Sequence, residues 1–425
     1  MNDLAPAPRS RLTLFLGILL HMFTHAYGAM LVPLYLLIQT DMHLRGIQYA
    51  ALIVTVYGVT YYVFSYGAGI LADRFNRRNL LGWGLVVNAT AVIFMGLFRR
   101  YEMVLAMSVI GGLAGTLFHP AANALIPAHY PRSPGMVIGI LGIGSGLGFF
   151  IGPQYAGWSA VHGFWHASTI GSWQRPCIEL GILGIFCGIA FLIFAREAPG
   201  AHGPRTRPHA LSWPMRWNVL AIAATLGCRD FAGVASISLT SIYLLRAQGR
   251  DAASAGLAVG AMMLIGVVVN PLAVWISPGR KRLPFLALSL VAAGLVVCTV
   301  PWFSAKYTMA ILCVFQACHL GSYSMSDAAV FERVEPSTRG RVTGLFLNVA
   351  GTAASTSPWV MGFWTDHFGD RAAIQRSYYA PFIALGAMMV FASVSVFLIS
   401  RLGSPRVGEV SAISEIEPAM MEVAM

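Results

Sequence analysis

Twelve long apolar runs, separated by short polar loops, constrain the fold of this chain more than any other feature of its sequence. A helix that crosses a bilayer needs about 20 apolar residues, and the runs that meet this length are residues 12–40, 48–72, 80–98, 102–127, 135–161, 177–195, 217–245, 252–277, 284–304, 307–331, 342–365 and 378–401. Because lipid offers no partner for backbone polar groups, such runs fold as helices. The sequence therefore predicts an all-α membrane protein with twelve transmembrane helices.

Composition agrees with this prediction. The chain is 57% hydrophobic and 11% charged, whereas a soluble domain carries about 25% charged residues. The net charge of +11 lies in short clusters between apolar runs, which is typical of membrane loops and not of a nucleic-acid groove. The six cysteines form no C-x-x-C pair, so neither a disulfide framework nor a zinc module is expected.

Lys and Arg residues set the expected orientation. With the N-terminus inside, the inner loops carry twice as many of these residues as the outer loops. This bias predicts that both termini are cytoplasmic and that the protein spans the inner, or plasma, membrane. The bilayer is thus an expected partner, and nucleic acid is not.

The longest inner loop divides the twelve runs into six and six. Residues 196–216 are rich in proline and glycine, which is typical of a linker. The predicted organisation is a six-helix bundle over residues 1–195, this linker, a second bundle over residues 217–401, and a tail over residues 402–425 that is expected to be disordered.

An internal repeat relates the two predicted bundles at an offset of 205 residues. The matching positions are Pro131, Gly135, Gly139, Pro153 and Gly157 in the first half, and Pro336, Gly340, Gly344, Pro358 and Gly362 in the second. Two similar six-helix halves, with a site between them near the bilayer midplane, are a recurring plan of secondary transporters. We therefore expect two pseudo-symmetric bundles.

The loop after the second run carries a family resemblance. It reads Gly69-Ile70-Leu71-Ala72-Asp73-Arg74-Phe75-Asn76-Arg77-Arg78 and resembles the signature loop of the major facilitator superfamily. The resemblance implies a monomeric transporter that works by alternating access, with a gating loop that comprises Gly69, Asp73, Arg74, Arg77 and Arg78. Asn76 stands where the family has glycine, and asparagine is expected to keep a left-handed turn there.

Two finer resemblances concern the fourth and fifth runs. The residues Gly148, Gly152, Pro153 and Gly157 are similar to a motif of the family's antiporters, although close helix packing explains such glycines equally well. Gly115-Thr116-Leu117-Phe118-His119-Pro120, together with His21, resembles the fosmidomycin-resistance branch. The chain departs from that branch at His25 and Ala121, where an acidic residue is usual.

Ionisable and polar residues at membrane depth mark the predicted cavity, because such groups are costly in lipid and usually face a cavity or a partner. They lie in the first, fourth, seventh and tenth runs, and they are His21, His25, His119, Asn123, Arg229, Asp230, His319, Tyr323 and Asp327. Helical spacing places each run's members on one face, and counting residues along each run places groups from both halves at one level.

Chemistry suggests roles for this set. The permanent charge of Arg229 suits a carboxylate or a phosphonate, while an aspartate or a histidine could carry a proton. Adjacent residues point about 100° apart on a helix, so Arg229 and Asp230 are not expected to face each other. The alternative for this pair is a self-neutralising unit that holds the seventh run to its neighbour.

A metal site is not predicted. Four histidines near one depth could hold a divalent ion, but they are dispersed over three helices without a carboxylate cluster. No cofactor is expected either, and the motifs H-E-x-x-H, G-x-S-x-G and the P-loop lysine are missing from the sequence, so the chain is not expected to be an enzyme.

These observations favour a secondary active transporter that exports a small organic solute, with anions among the candidates, in exchange for protons. Proton-coupled uptake on the same scaffold is the first alternative. A divalent-metal transporter and a membrane receptor that transports nothing are less favoured.

Overall fold

The computed structural model describes residues 8–131, 133–165, 170–197 and 212–403. Most of the predicted linker and nearly all of the predicted tail therefore lie outside the described residues. We name the side of the molecule where the first helix begins the terminal side, and the opposite side the far side.

Seventeen α-helices and five short 3-10 turns make up the described chain, and no strand occurs in these ranges. The helices are α1 (Pro8–Ala29), α2 (Tyr35–Asp41), α3 (Ile47–Val63), α4 (Ser65–Arg74), α5 (Arg77–Leu97), α6 (Tyr101–Gly115), α7 (Phe118–Ala128), α8 (Pro134–His162), α9 (Gln174–Phe194), α10 (Trp213–Arg246), α11 (Ala252–Ile276), α12 (Arg282–Thr299), α13 (Ala305–Phe331), α14 (Pro336–Ser355), α15 (Ser357–Asp366), α16 (Tyr379–Ala392) and α17 (Val394–Ser400).

These helices correspond to the twelve predicted spans. Seven spans are single helices, and five are pairs that the sequence did not predict to be broken: α1–α2, α3–α4, α6–α7, α14–α15 and α16–α17. Within the described ranges, nine segments are long and apolar enough to cross a membrane, and the pair α3–α4, bent by 49°, makes ten. The remaining two spans, α13 and the pair α14–α15, are the more polar ones.

Helix α9 shows how large apolar side chains mark the face that is exposed to lipid. Leu183, Phe186 and Ile193 expose 52%, 67% and 64% of their surface, respectively, whereas the glycines of the opposite face lie against α5. A Cβ atom added at Gly181 would approach Ile93 to 2.4 Å. Large apolar side chains outside and small residues between helices are the arrangement expected in a bilayer.

Equivalent bonds in the two halves confirm the internal repeat. Arg77 Nε donates to the carbonyl oxygen of Ala72 over 3.2 Å, and Arg282 Nε donates to that of Ser277 over 3.1 Å. Both pairs of positions differ by the predicted offset of 205 residues. Packing repeats as well, since α1 contacts α8 in the first half as α10 contacts α14 in the second.

The two halves meet tightly on the far side. Gly157 on α8 is so close to α11 that an added Cβ would lie 2.2 Å from the carbonyl oxygen of Ala252. Gly362 on α15 also packs closely on α3, because an added Cβ would lie 2.7 Å from the Cα atom of Gln48. Toward the terminal side, Gly139, about five turns before Gly157 on the same face of α8, has no atom within 4 Å of the position of a Cβ. The halves are therefore closed on the far side and separate toward the terminal side.

Candidate functional site

A buried guanidinium forms the centre of the site in the second half. Arg229 on α10 donates from Nε to Asp230 Oδ1 over 2.7 Å, and from Nη1 to Ser326 Oγ over 2.8 Å and to the Ser322 carbonyl oxygen over 3.3 Å. Its Cζ lies 3.7 Å from the centre of the Tyr323 ring. These contacts fix the guanidinium against α13, with 4% of the Arg229 side chain exposed.

The expectation that adjacent residues cannot pair was wrong for Arg229 and Asp230. Their Cβ atoms diverge, but the arginine side chain is long enough to fold back along the helix, and it brings Nε within hydrogen-bond distance of the neighbouring carboxylate. The pair is thus a short, charge-assisted contact. At the repeat offset, the same two positions in the first half are Thr24 and His25.

A cavity of about 190 Å³ opens beside this pair. The remaining lining is mostly apolar, and the polar side chains that line the cavity are Tyr62, Arg229, Asp230, Tyr323, Ser326, Asp327, Thr343 and Ser355. Four predicted site residues therefore share one cavity. Tyr62 on α3 comes from the other half and was missed by sequence reasoning, because a tyrosine in an apolar run gives no signal that separates it from packing residues.

His319 lies apart from this cavity. Its Nδ1 lies 2.8 Å from Gln316 Oε1, its ring stacks on Phe315 at 5.5 Å, and it presses against Gly233 of α10. Among the described residues, its Nε2 has no hydrogen-bond partner. His319 is 3% exposed, and its ring packs edge-on against that of Tyr323 at 5.2 Å. It therefore helps to position Tyr323 without lining the cavity.

The three other histidines form a separate group in the first half, which we call the histidine cluster: His21, His25 and His119. His21 Nδ1 lies 2.8 Å from the carbonyl oxygen of Leu141, and His25 Nε2 lies 3.1 Å from His21 Nε2. One nitrogen from each of the three rings lies within 4.8 Å of the others. The predicted dispersion of the histidines is thus wrong for these three.

Aromatic rings connect the cluster with the cavity. The ring of Tyr61 lies 6.2 Å from that of His119 and 5.1 Å from that of Tyr62, which lines the cavity. The two groups that the sequence placed at one level are therefore neighbours through this tyrosine pair, not one constellation. Asn123, predicted to join His119, is exposed one turn beyond it, and no described hydrogen bond brings it to the cluster.

Close packing of α8 on α1 orients the cluster. A Cβ at Gly144 would come within 2.8 Å of His21 Cβ, and one at Gly148 within 3.0 Å of His25 Cβ. Gly152 packs on Ala26 in the same way, and Gly157 and Pro153 contact α11. The four residues of the predicted glycine motif thus pack α8 against both α1 and α11.

The gating-loop residues lie where α4 ends and α5 begins. Gly69, Asp73 and Arg74 belong to α4, while the side chain of Arg78 donates to the carbonyl oxygen of Leu192 and its backbone N–H to Glu197. Asn76 does not adopt the expected left-handed turn. It has φ of −60° and caps α5 by accepting a hydrogen bond from the backbone of Asn79, which is the ordinary role of asparagine at a helix start.

A carboxylate joins the halves on the far side, and sequence reasoning did not find it. Asp366, at the end of α15, accepts hydrogen bonds from the backbone N–H groups of Ile47 and Gln48 at 3.0 and 2.9 Å. Arg246 Nη1 lies 3.3 Å from the same carboxylate. An acidic residue at the end of an apolar run looks like an interfacial anchor, so its role became visible only when α3 and α15 were brought together.

Two helical bundles with a cavity between them are the arrangement of a recurring class of secondary transporters. The profile of the Major Facilitator Superfamily matches residues 14–315 and 222–419. This chain belongs to that superfamily.

Individual relatives are distant. The uncharacterized MFS-type transporter YceJ of Bacillus subtilis (strain 168) is 25% identical over 386 residues, which cover 85% of this chain and 91% of YceJ. A putative inorganic phosphate cotransporter of Drosophila melanogaster is 28% identical over 138 residues, covering 32% and 25% of the two chains. The multidrug resistance protein MdtH of Shigella dysenteriae serotype 1 (strain Sd197) is 27% identical over 96 residues, covering 23% and 24%.

A solved structure has the same fold. The inward-facing, unoccupied bacterial homolog of the human lysosomal transporter Spinster superposes with a TM-score of 0.76 at 17% identity, covering 94% of this chain and 98% of that chain. These matches confirm the superfamily and the two-bundle fold. They do not confirm the finer resemblance to the fosmidomycin-resistance branch.

Proposed function

We propose that this protein carries a small organic anion across the membrane together with a proton, and that the anion binds at Arg229. The observation that supports this proposal is a buried guanidinium in a cavity that receives residues from both halves. A charge in this position is costly unless a partner or a ligand balances it. A carboxylate or phosphonate matches the planar donor geometry of arginine.

Arg229 has donors left for such a ligand. The hydrogen bonds that the described residues make to this side chain use Nε and Nη1, and none uses Nη2. The guanidinium is also held in place by Ser326 and by the ring of Tyr323. A ligand therefore meets the N–H groups of Nη2 in a fixed position and does not have to order a mobile side chain.

The two carboxylates beside Arg229 link the anion to a proton. With all three groups ionised, Asp230, Asp327 and Arg229 carry a net charge of −1, and one proton makes the set neutral. An anion that takes the place of Asp230 on the guanidinium leaves that carboxylate without its partner, which favours its protonation. Anion and proton are then bound in the same state, and this is the condition for cotransport.

Alternating access requires the contacts on the far side to break. In the conformation described, the halves are closed there and separate toward the terminal side. The excess of Lys and Arg in the loops of the terminal side supports our assignment of this side as cytoplasmic. We therefore place the protein in the inner membrane, with both termini in the cytoplasm and its cavity facing inward.

Export in exchange for protons is the second candidate. The partial similarity to a multidrug resistance protein and the glycine motif of α8 favour it. The two candidates differ in the sign of the proton movement that accompanies the solute.

Purified protein in liposomes that contain a pH-sensitive dye tests the proposal. Labelled carboxylates and phosphonates are added, and solute and proton movements are recorded together. Cotransport predicts that both move in the same direction, whereas exchange predicts opposite directions. Movement of solute without protons refutes coupling.

Three variants locate the effect. Arg229→Lys should weaken anion binding at least about 10-fold, since the bidentate geometry is lost. Asp230→Asn should preserve anion binding while abolishing its dependence on protons. Arg250→Ala is the matched control, because Arg250 is exposed beyond the end of α10. Unchanged binding in Arg229→Lys would move the anion site elsewhere.

A further inference from the structure

The histidine cluster has a geometry that transport of an organic anion does not require. Three imidazoles from α1 and α7 converge in the first half, and one nitrogen of each lies within 4.8 Å of the other two. His21 is 6% exposed, and Tyr61 Oη beside the cluster has no hydrogen-bond partner among the described residues. We propose that His21, His25 and His119 bind one divalent transition-metal ion such as Zn²⁺ or Co²⁺.

Distances between the rings fit this assignment. Zn²⁺ bonds imidazole nitrogen at about 2.0–2.1 Å, so the ligand atoms of a tetrahedral site lie about 3.4 Å apart. The Nε2 atoms of His21 and His25 are already 3.1 Å apart. Because all three ligand nitrogens lie within 4.8 Å of one another, the site closes with a movement of at most about 1.4 Å, which rotation of the His119 side chain can supply.

The hydrogen bond of His21 prepares its other nitrogen for a metal. Because the Leu141 carbonyl oxygen can only accept, the ring nitrogen 2.8 Å away, Nδ1, carries the proton. Nε2 of the neutral ring then presents a lone pair toward His25. An imidazole whose far nitrogen donates to a backbone carbonyl is the usual arrangement of a metal-binding histidine. Gly144, which lets α8 approach α1, makes this contact sterically possible.

The donor set selects the class of ion. Neutral imidazoles suit Zn²⁺, Co²⁺, Ni²⁺ and Cu²⁺, whereas Mg²⁺ and Ca²⁺ prefer oxygen ligands. Two ligands four residues apart on α1 lie on the same helix face, as they do in helical zinc motifs. Three protein ligands leave a fourth position open. The group contains no carboxylate, so an anion in the fourth position would offset the charge of the ion.

Binding of Co²⁺ to the full chain tests the inference. The protein is purified without a polyhistidine tag, stripped with a chelator, reconstituted into nanodiscs and titrated with Co²⁺ and then Zn²⁺. We expect one equivalent of Co²⁺ to give the intense visible absorption of a tetrahedral nitrogen site, and Zn²⁺ to displace it. Absorption no stronger than that of hydrated Co²⁺ would overturn the inference.

Variants separate the cluster from adventitious histidines. His119→Asn, which keeps a polar side chain of similar size, should weaken binding at least about 100-fold, because a ligand is lost. His367→Ala removes an exposed histidine just after the end of α15 and should change nothing. Equal loss in both variants would assign the ion to the surface. Anion transport measured on the same samples keeps this test separate from that of Arg229, since the two sites share no residue.

Discussion

Removal of one negative charge on the far side should open that side. Asp366 accepts two backbone hydrogen bonds from the start of α3 and contacts Arg246, and its side chain is 15% exposed. The two backbone hydrogen bonds join the halves, so they are lost when the far side opens, whereas Arg246 on α10 belongs to the same half as Asp366. Asp366→Asn preserves the shape of the side chain and removes its charge.

The expected magnitude follows from these contacts. A hydrogen bond to a charged group contributes about 1.5–3 kcal/mol net, and a carboxylate near a helix N-terminus gains a further 0.3–1 kcal/mol or so. The asparagine keeps one acceptor and turns an N–H₂ group toward the second backbone donor. We therefore expect the substitution to destabilise the state with the far side closed by about 2 kcal/mol relative to the open state. This free energy shifts the equilibrium about 30-fold toward the open state.

Distances between spin labels measure this shift. One label replaces Arg45 in the first half and the other replaces Arg371 in the second, both exposed on the far side, and the distance distribution is recorded by pulsed electron paramagnetic resonance. The matched control is Asp370→Asn, an exposed carboxylate in the same loop. We expect a second, longer distance in Asp366→Asn alone. If the population of the longer distance rises less than about 2-fold, Asp366 does not hold the two halves together.

Three further substitutions have defined outcomes. Gly157→Ala should destabilise the closed far side, because its Cβ would lie 2.2 Å from a backbone oxygen, whereas Gly139→Ala, with no atom within 4 Å, should leave the same label distances unchanged. Asp251→Ala should lower thermal stability by about 1 kcal/mol by removing the N-cap of α11. The hydrogen bonds to Ser254 lower the pKa of Asp251. The stabilising contribution of Asp251 is therefore present above the usual carboxyl pKa and is lost as the pH falls through the lowered value. An unchanged melting temperature of Asp251→Ala at neutral pH would contradict this role. Glu179→Gln should lower the melting temperature of the purified protein, because Glu179 accepts from two hydroxyls and an indole N–H.

Most of the fold was predictable because hydrophobic length is a local property. The apolar runs predicted twelve spans. The offset of 205 residues predicted the repeat, and Arg77 and Arg282 make equivalent hydrogen bonds at that offset. The breaks within five spans were not predicted: Pro33 and Pro358 lie at two of them, and the position of a break without such a residue depends on packing between helices. The 49° bend between α3 and α4, for example, follows Val63, where no proline or glycine marks it in the sequence.

The candidate site was predicted in composition but not in arrangement. Arg229, Asp230 and Asp327, which the sequence marked as polar groups of the predicted cavity, line one cavity. Counting residues could not show that His21 and His25 belong to a different group, because depth along a helix axis says nothing about which neighbour each face meets. Helix orientation about its own axis is set by tertiary contacts, such as those of Gly144 and Gly148 with α1.

The low hydropathy of α13 and of the pair α14–α15 has a consequence for biogenesis. These two spans are long enough to cross the membrane, but neither is among the segments that are apolar enough to do so by composition alone. The polar groups that α13 contributes beside Arg229 would face acyl chains if that helix entered the bilayer by itself, at a cost of a few kcal/mol for each ionised side chain. We therefore expect α13 to enter the bilayer more readily once α10 and α12 are in place to receive its polar groups.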